Sequence, residues 1–430
     1  MQRNFPSNKF NLSQLRANLS QFLAKSAGPD LREKRRLGRE HFIPVCPTEL
    51  VDSLAQRGEL MPAERDMFCR LCERIETIFH NEFRVRLQEL EQTYACVNPD
   101  LDTESLSPKS VSELDREIAV DKLFTQFMRL LERANFRQLS REEVTDAIGK
   151  ASALGVRLDV DLDQFEQLAV FARGEIAVKV PRREWRNWWY RQVELDIPMF
   201  QRLVVIFRMR ASHEDEDSLE HVKAAYIRLL KNVPQQDIDM ALPGGKVRIS
   251  LFDRGKILVP TISGIGLATF KLGLLFFAGI YGLVKIGGLM FGAIGSGWKS
   301  VNGYWKTKNK YELSLTRNLY YQNLDNNAGV LLRLANEAER QELRETIVGY
   351  YALLTAERPC STEELAERAE AILDACGVEV RFEVADGLAK LLRLGLCEPV
   401  EAQRWKATAL SDATQRMIQR NLKDALRARP

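Results

Sequence analysis

Between Ile257 and Trp298 the chain reads ILVPTISGIGLATFKLGLLFFAGIYGLVKIGGLMFGAIGSGW, with two lysines and no acidic residue. No other stretch constrains the fold as much, because a run of this length is too long for an ordinary core helix and long enough to enter a bilayer. Two arrangements are open. A single span from Leu272 to Trp298 passes through Phe276 and Phe277 and buries Lys285 near its middle, at a cost of about 2.5–3.5 kcal/mol. A hairpin starting at Ile257 uses the whole run, with short arms and a turn around 277–282. Cations on both flanks, Arg248, Arg254 and Lys256 before and Lys299, Lys306, Lys308 and Lys310 after, favour the hairpin under the positive-inside rule. Gly288, Gly292 and Ser296 stand four apart and give one helix face the small residues that close helix packing requires. Trp298 and Trp305 suit the membrane interface.

The rest of the chain is charged and well patterned. At 430 residues it has room for two to four domains. The net charge of +3 names no partner, but residues 1–40 carry nine Arg or Lys against three acids, a local excess suited to an anionic surface. The seven scattered cysteines give no disulfide framework and read as reduced thiols in a reducing compartment.

Along the chain, 1–40 reads as a basic amphipathic segment and 41–153 as a helical region. Within the latter, Met67, Leu71, Ile75, Ile78, Phe79, Phe83, Leu87 and Leu90 form one apolar stripe. Ser140 precedes Glu143 at capping-box spacing. Residues 154–256 alternate or are β-branched and predict an α+β domain with an antiparallel or mixed sheet. The membrane segment, 257–298, follows, and 299–335 is a basic, aromatic connector and helix. Residues 336–430 predict three helices and two short strands, a winged-helix-like order with a second capping box at Ser361 and Glu364. The expected fold is therefore an α+β membrane-anchored protein.

Residue constellations with chemistry are few. Pro181–Gln192 interleaves Arg182, Arg183 and Arg186 with Trp188 and Trp189, which suits lipid headgroups or another anionic surface. Cys69-x-x-Cys72 lies on a helix without a second pair, so no metal site is expected. Gly264-x-Gly266 lacks a βαβ setting, and no cofactor is expected. The helix at Phe382–Leu396 is near neutral, so nucleic acid is not an expected partner.

REHFIPV (39–45), FCRLCERIETIFHNEF (68–83), LEQTYACVNPDLDT (90–103), ARGE (172–175), IDMALPGGKVRISLFDRGKILVP (238–260), LTRNLYYQNLDNNAGVL (315–331) and FEVADGLAKLLRLGL (382–396) resemble the transmembrane protein 143-like family. The resemblance implies a membrane-bound protein, in a bacterial inner membrane or a mitochondrial membrane. It supplies no catalytic residues. The expected function is a membrane-anchored adaptor or scaffold, with membrane lipid and a protein partner or a second copy as its partners. Two alternatives stand beside it: an enzyme acting on a lipid or other membrane-held substrate through Arg173, Glu175, Asp253 and Arg254, and an oligomeric membrane pore.

Overall fold

The computed structural model describes residues 34–36, 40–100, 113–148, 157–183, 192–210, 224–244, 246–248, 313, 320–400 and 403–427. The chain divides into two compact units, Met1–Leu37 with Glu175–Met199, and Gly38–Gly174 with Phe200–Pro430. In the smaller unit, β1 (Lys34–Arg36) pairs antiparallel with the outer part of β4 (Phe165–Arg183), Arg35 opposite Ala177. Ile176, Val178 and Met199 form its apolar cluster.

The larger unit carries a sheet in the order β4, β5 (Gln192–Met209), β6 (Ala225–Pro234) and β8 (Asn323–Asn326), and β2 (Arg137–Gln138) pairs with β4. A separate antiparallel pair joins β3 (Arg157–Asp159) to β7 (Lys246–Arg248). Successive side chains of a strand point to opposite faces, and here both faces are covered. Ala169, Phe171, Val204, Ile206, Ile227 and Leu229 face the main core; Val170, Ala172, Leu203, Val205 and Phe207 face a second one. Burial on both sides explains why 203–207 reads LVVIF without a polar residue.

Helices build the main core: α1 (Pro47–Gln56), α2 (Pro62–Ala95), α3 (Glu113–Arg133), α5 (Asn327–Leu354), α6 (Thr362–Ala375), α7 (Val384–Leu394) and α8 (Leu410–Arg427). The short α4 (Arg141–Ala147) belongs to the second core. Helix α2 buries Leu71, Ile75, Ile78, Phe79, Phe83 and Leu90 from its apolar stripe, with Met67 and Leu87 half-buried. Helix α5 is the central post, in contact with α1, α2, α3, α6, α7, β6 and β10 (Arg404–Ala407), and every residue from 341 to 353 is buried. β10 pairs antiparallel with β9 (Cys397–Val400), Trp405 opposite Pro399.

The ends of these helices follow from local chemistry. Ser140 and Ser361 each accept the backbone N–H three residues on, at 3.1 and 3.2 Å, while Glu143 and Glu364 reach back to the serine N–H. Those hydrogen bonds hold both glutamates below the usual carboxylate range. Ser361→Ala is expected to cost about 1 kcal/mol, read by urea unfolding; a loss of nothing would show that the box is redundant with packing. Helix α7 ends at Gly395, whose φ of +68° lets the N–H of Leu396 reach the Leu391 carbonyl at 2.8 Å. Asn327 opens α5 at a left-handed φ of +49°, accepts the Ile227 N–H at 3.1 Å and donates to Asp100 at 2.5 Å.

Among the described residues no helix is long and apolar enough to cross a membrane. Helices α2 and α5 have the length but not the composition; α5 alone carries Arg333, Glu337, Arg340, Glu342, Arg344 and Glu345. This corrects the expected membrane-anchored fold: the described architecture is a mixed one of helices and antiparallel sheet. The 257–298 run, on which that expectation rested, lies outside the described residues.

Candidate functional site

A cleft of about 220 Å³ opens between α2 and α3, with Ala335 of α5 among its lining residues. Its α2 wall is Phe83, Arg86, Leu87, Glu89 and Leu90; its α3 wall is Gln126, Arg129, Leu130 and Arg133. Helical spacing accounts for both walls. Positions 83, 87 and 90 share an apolar stripe bordered by Arg86, and 126, 129, 130 and 133 recur every three or four residues on one face. Ala335 is too small to fill the space between them.

The cleft is rich in cations and poor in partners for them. Three arginines line it against one glutamate. Arg133 donates to Glu342 at 3.0 Å. Arg86 lies with its guanidinium carbon 5.2 Å from the Phe83 ring centroid, and its nearest carboxylate oxygen, on Glu82, is 3.9 Å away. That same Glu82 accepts from Arg393 at 2.5 Å and from Arg420 at 3.3 Å. Arg86 Nη1 and Gln126 Oε1 are buried without a hydrogen-bond partner among the described residues. Burial and the neighbouring Arg133 charge depress the Arg86 pKa. Unmade hydrogen bonds on buried polar atoms cost about 1–3 kcal/mol each, more when charged.

A second polar constellation lies along α5. Glu345 pairs with Lys390 of α7 at 2.5 Å and accepts from Asn135 at 2.9 Å and Gln341 at 2.7 Å. Lys390 also meets Asp386 at 2.6 Å. Gln341 accepts the Ile43 N–H and donates to the His41 carbonyl, both at 3.2 Å, while Arg344 donates to the Ile43 carbonyl. Desolvation pushes the Glu345 pKa up and lowers that of Arg344 to about 10. Burial also pulls on Lys390, but Glu345, Glu342 and Asp386 outweigh it and raise its pKa. Apart from Arg344 Nε, which has no partner among the described residues, these groups spend their hydrogen bonds on one another and on the backbone of 41–43, as a structural network does.

The residues singled out from sequence fall as follows. Arg173 is buried and donates to the Ala134 carbonyl at 2.8 Å and to Glu337 at 2.5 Å. Glu175 is half-buried in the smaller unit, and Asp253 and Arg254 lie outside the described residues. Arg182 and Arg183 end β4. Arg186, Trp188, Trp189, Lys299 and Trp305 lie outside the described residues, as do Ile257, Leu272, Phe276, Phe277, Gly288, Gly292, Ser296 and Trp298. Cys69 and Cys72 are free thiols whose pKa values burial raises, and no group of three His, Cys, Asp or Glu among the described residues is placed to hold a metal ion. Sequence reasoning missed Arg86, Gln126, Arg129 and Arg133. The one available signal was the 126–129–133 spacing, which a solvated helix face shares.

Comparison with known proteins gives one family match. Residues 200–329 are similar to a family described as a protein of unknown function, DUF3754. The match covers under a third of the chain, from β5 to the start of α5. Nothing in it points to the transmembrane protein 143-like family, so that resemblance is corrected. No solved structure matches the chain.

Proposed function

We propose that the protein is an adaptor that binds a protein partner by gripping an acidic group in the cleft between α2 and α3. One observation carries this reading: a buried Arg86 N–H without an acceptor, in a cleft that Arg129 and Arg133 also line. Arg86 shares its one counter-ion, Glu82, with Arg393 and Arg420 and keeps a buried Nη1 without an acceptor among the described residues, and an anion in the cleft would complete that site. In the α5 network most donors and acceptors are spent on one another, with Arg344 Nε left without a partner among the described residues.

The test places a photo-crosslinking side chain at position 129 of the full chain and identifies the captured protein and the position bonded. Arg129→Glu is then expected to abolish binding of that partner, and a lysine replacing the partner's acidic residue to restore it. Crosslinks that scatter over unrelated proteins, or a partner indifferent to the charge reversal, would overturn the proposal.

A further inference from the structure

The same cleft specifies more than negative charge. Its donors come from two directions. Arg86 enters from α2, while Arg129 and Arg133 enter from α3, four residues apart on one face. Gln126 adds a fourth group on the α3 side: its Oε1 is buried without a partner among the described residues, and turning the amide about its terminal bond would put an N–H donor in that place. A planar carboxylate is satisfied by a single guanidinium fork. Donors converging from opposing walls suit a tetrahedral group with several oxygens.

Charge balance points the same way. Glu82 is shared among Arg86, Arg393 and Arg420, and Glu342 answers Arg133. The lining itself holds three guanidiniums and one carboxylate; together with the ion-pair network it joins, where Arg393 and Arg420 lie outside the lining, five guanidiniums stand against three carboxylates, a surplus of two positive charges. A carboxylate neutralises one of these, whereas a phosphate monoester at neutral pH carries about −1.5 to −2 and three strong acceptor oxygens.

We infer that the cleft between α2 and α3 is a phosphate-monoester site, and that Arg86, Arg129 and Gln126 supply the contacts that tell it from a carboxylate. The inference rests on the adaptor reading when the phosphate belongs to a partner's phosphorylated side chain; a free phosphate ester would use the same chemistry. Arg133, held to Glu342, sets the field rather than the specificity.

Calorimetric titration of the full chain with phenyl phosphate and with benzoate isolates the chemistry, since the two share a ring and differ in the anion. Phenyl phosphate is expected to bind, benzoate to bind at least about tenfold more weakly, and inorganic phosphate to compete. Affinity should fall as pH drops below about 6, where the monoester takes up its second proton. Arg86→Gln should weaken phosphate binding about ten- to a hundredfold. Arg129→Gln, at an exposed position that leaves packing intact, should weaken it in the same direction. Equal binding of benzoate and phenyl phosphate, or phosphate binding unchanged in both variants, would overturn the inference.

A degenerate phosphoserine peptide library, with its unphosphorylated and glutamate-substituted counterparts, separates the sources. Selective capture of phosphopeptides supports both the inference and the adaptor reading. Capture of glutamate peptides without phosphate preference refutes the inference and leaves the adaptor standing. Binding of phenyl phosphate with no peptide capture upholds the phosphate chemistry and removes the adaptor. No binding of any probe refutes both.

Discussion

Lys390→Met is expected to lower the unfolding free energy by about 3–5 kcal/mol, because it leaves Glu345 as an uncompensated charge in the core. Both side chains are enclosed: Lys390 is 8% exposed and Glu345 3%. In the intact protein the ammonium offsets part of the cost of desolvating the carboxylate, and Asn135 and Gln341 supply further hydrogen bonds. Removing the ammonium alone leaves two neutral donors to hold a buried anion. The double variant Lys390→Met with Glu345→Leu should recover most of the loss, since an apolar pair of similar volume often replaces a buried ion pair at little net cost. The urea midpoint, at unchanged dependence on urea, reads both.

The pH dependence of that variant follows from linkage. Burial raises the Glu345 pKa, and loss of Lys390 removes the charge that opposes the rise. A carboxyl whose folded pKa exceeds its unfolded value binds its proton more tightly in the folded state. It therefore stabilises the fold while protonated, and that contribution is lost as pH rises through the folded pKa. The Lys390→Met defect should shrink on acidification. A defect of constant size from neutral to acidic pH would mean that Glu345 is already neutral, or that the loss arises from packing.

What the sequence disclosed and what it hid divide along the range of the interaction. The two capping boxes were legible because donor and acceptor lie three residues apart. The α2 stripe was legible because one face of a helix meets the core and the other meets water. The Asn/Asp run from 323 to 329 fits, by sequence, a capped turn before α5 or a contact with the α+β domain; Asn323–Asn326 is the strand β8 of that domain's sheet, and nothing local decides this because its pairing residues 228–230 lie about a hundred positions away. The charged stretch ERQELRET, from 339 to 346, carries no local sign of burial, yet all but two of its residues are buried. Its charges find partners at 133, 135 and 390, and no local pattern announces them. The cleft is hidden for the same reason: Arg86 and Gln126 sit on separate helices and become one site only when α5 brings a small residue, Ala335, between them.

Arg173→Met should cost about 3–5 kcal/mol, toward the lower end because Arg333 stays within 3.9 Å of Glu337. Arg173 meets two rings, its guanidinium carbon 3.8 Å from the Phe42 centroid and 4.4 Å from that of Phe136. At the same time its two terminal nitrogens reach different elements, the Ala134 carbonyl after α3 and the Glu337 carboxylate on α5. Only a planar fork can stack through its faces and donate through its edges together. Arg173→Lys keeps the charge but forfeits that division of labour, so it should lose about 1–3 kcal/mol rather than be neutral. The damage should also have an address. Phe42 adjoins Ile43, whose N–H donates to Gln341. With the cation gone from the Phe42 ring, the 41–45 segment loses one of its anchors, and the Ile43 amide should exchange with solvent faster while the Leu203–Phe207 amides keep their protection. Uniform acceleration across both regions would instead place Arg173 in a global stability role, and an Arg173→Lys variant as stable as the parent would show that charge alone suffices there.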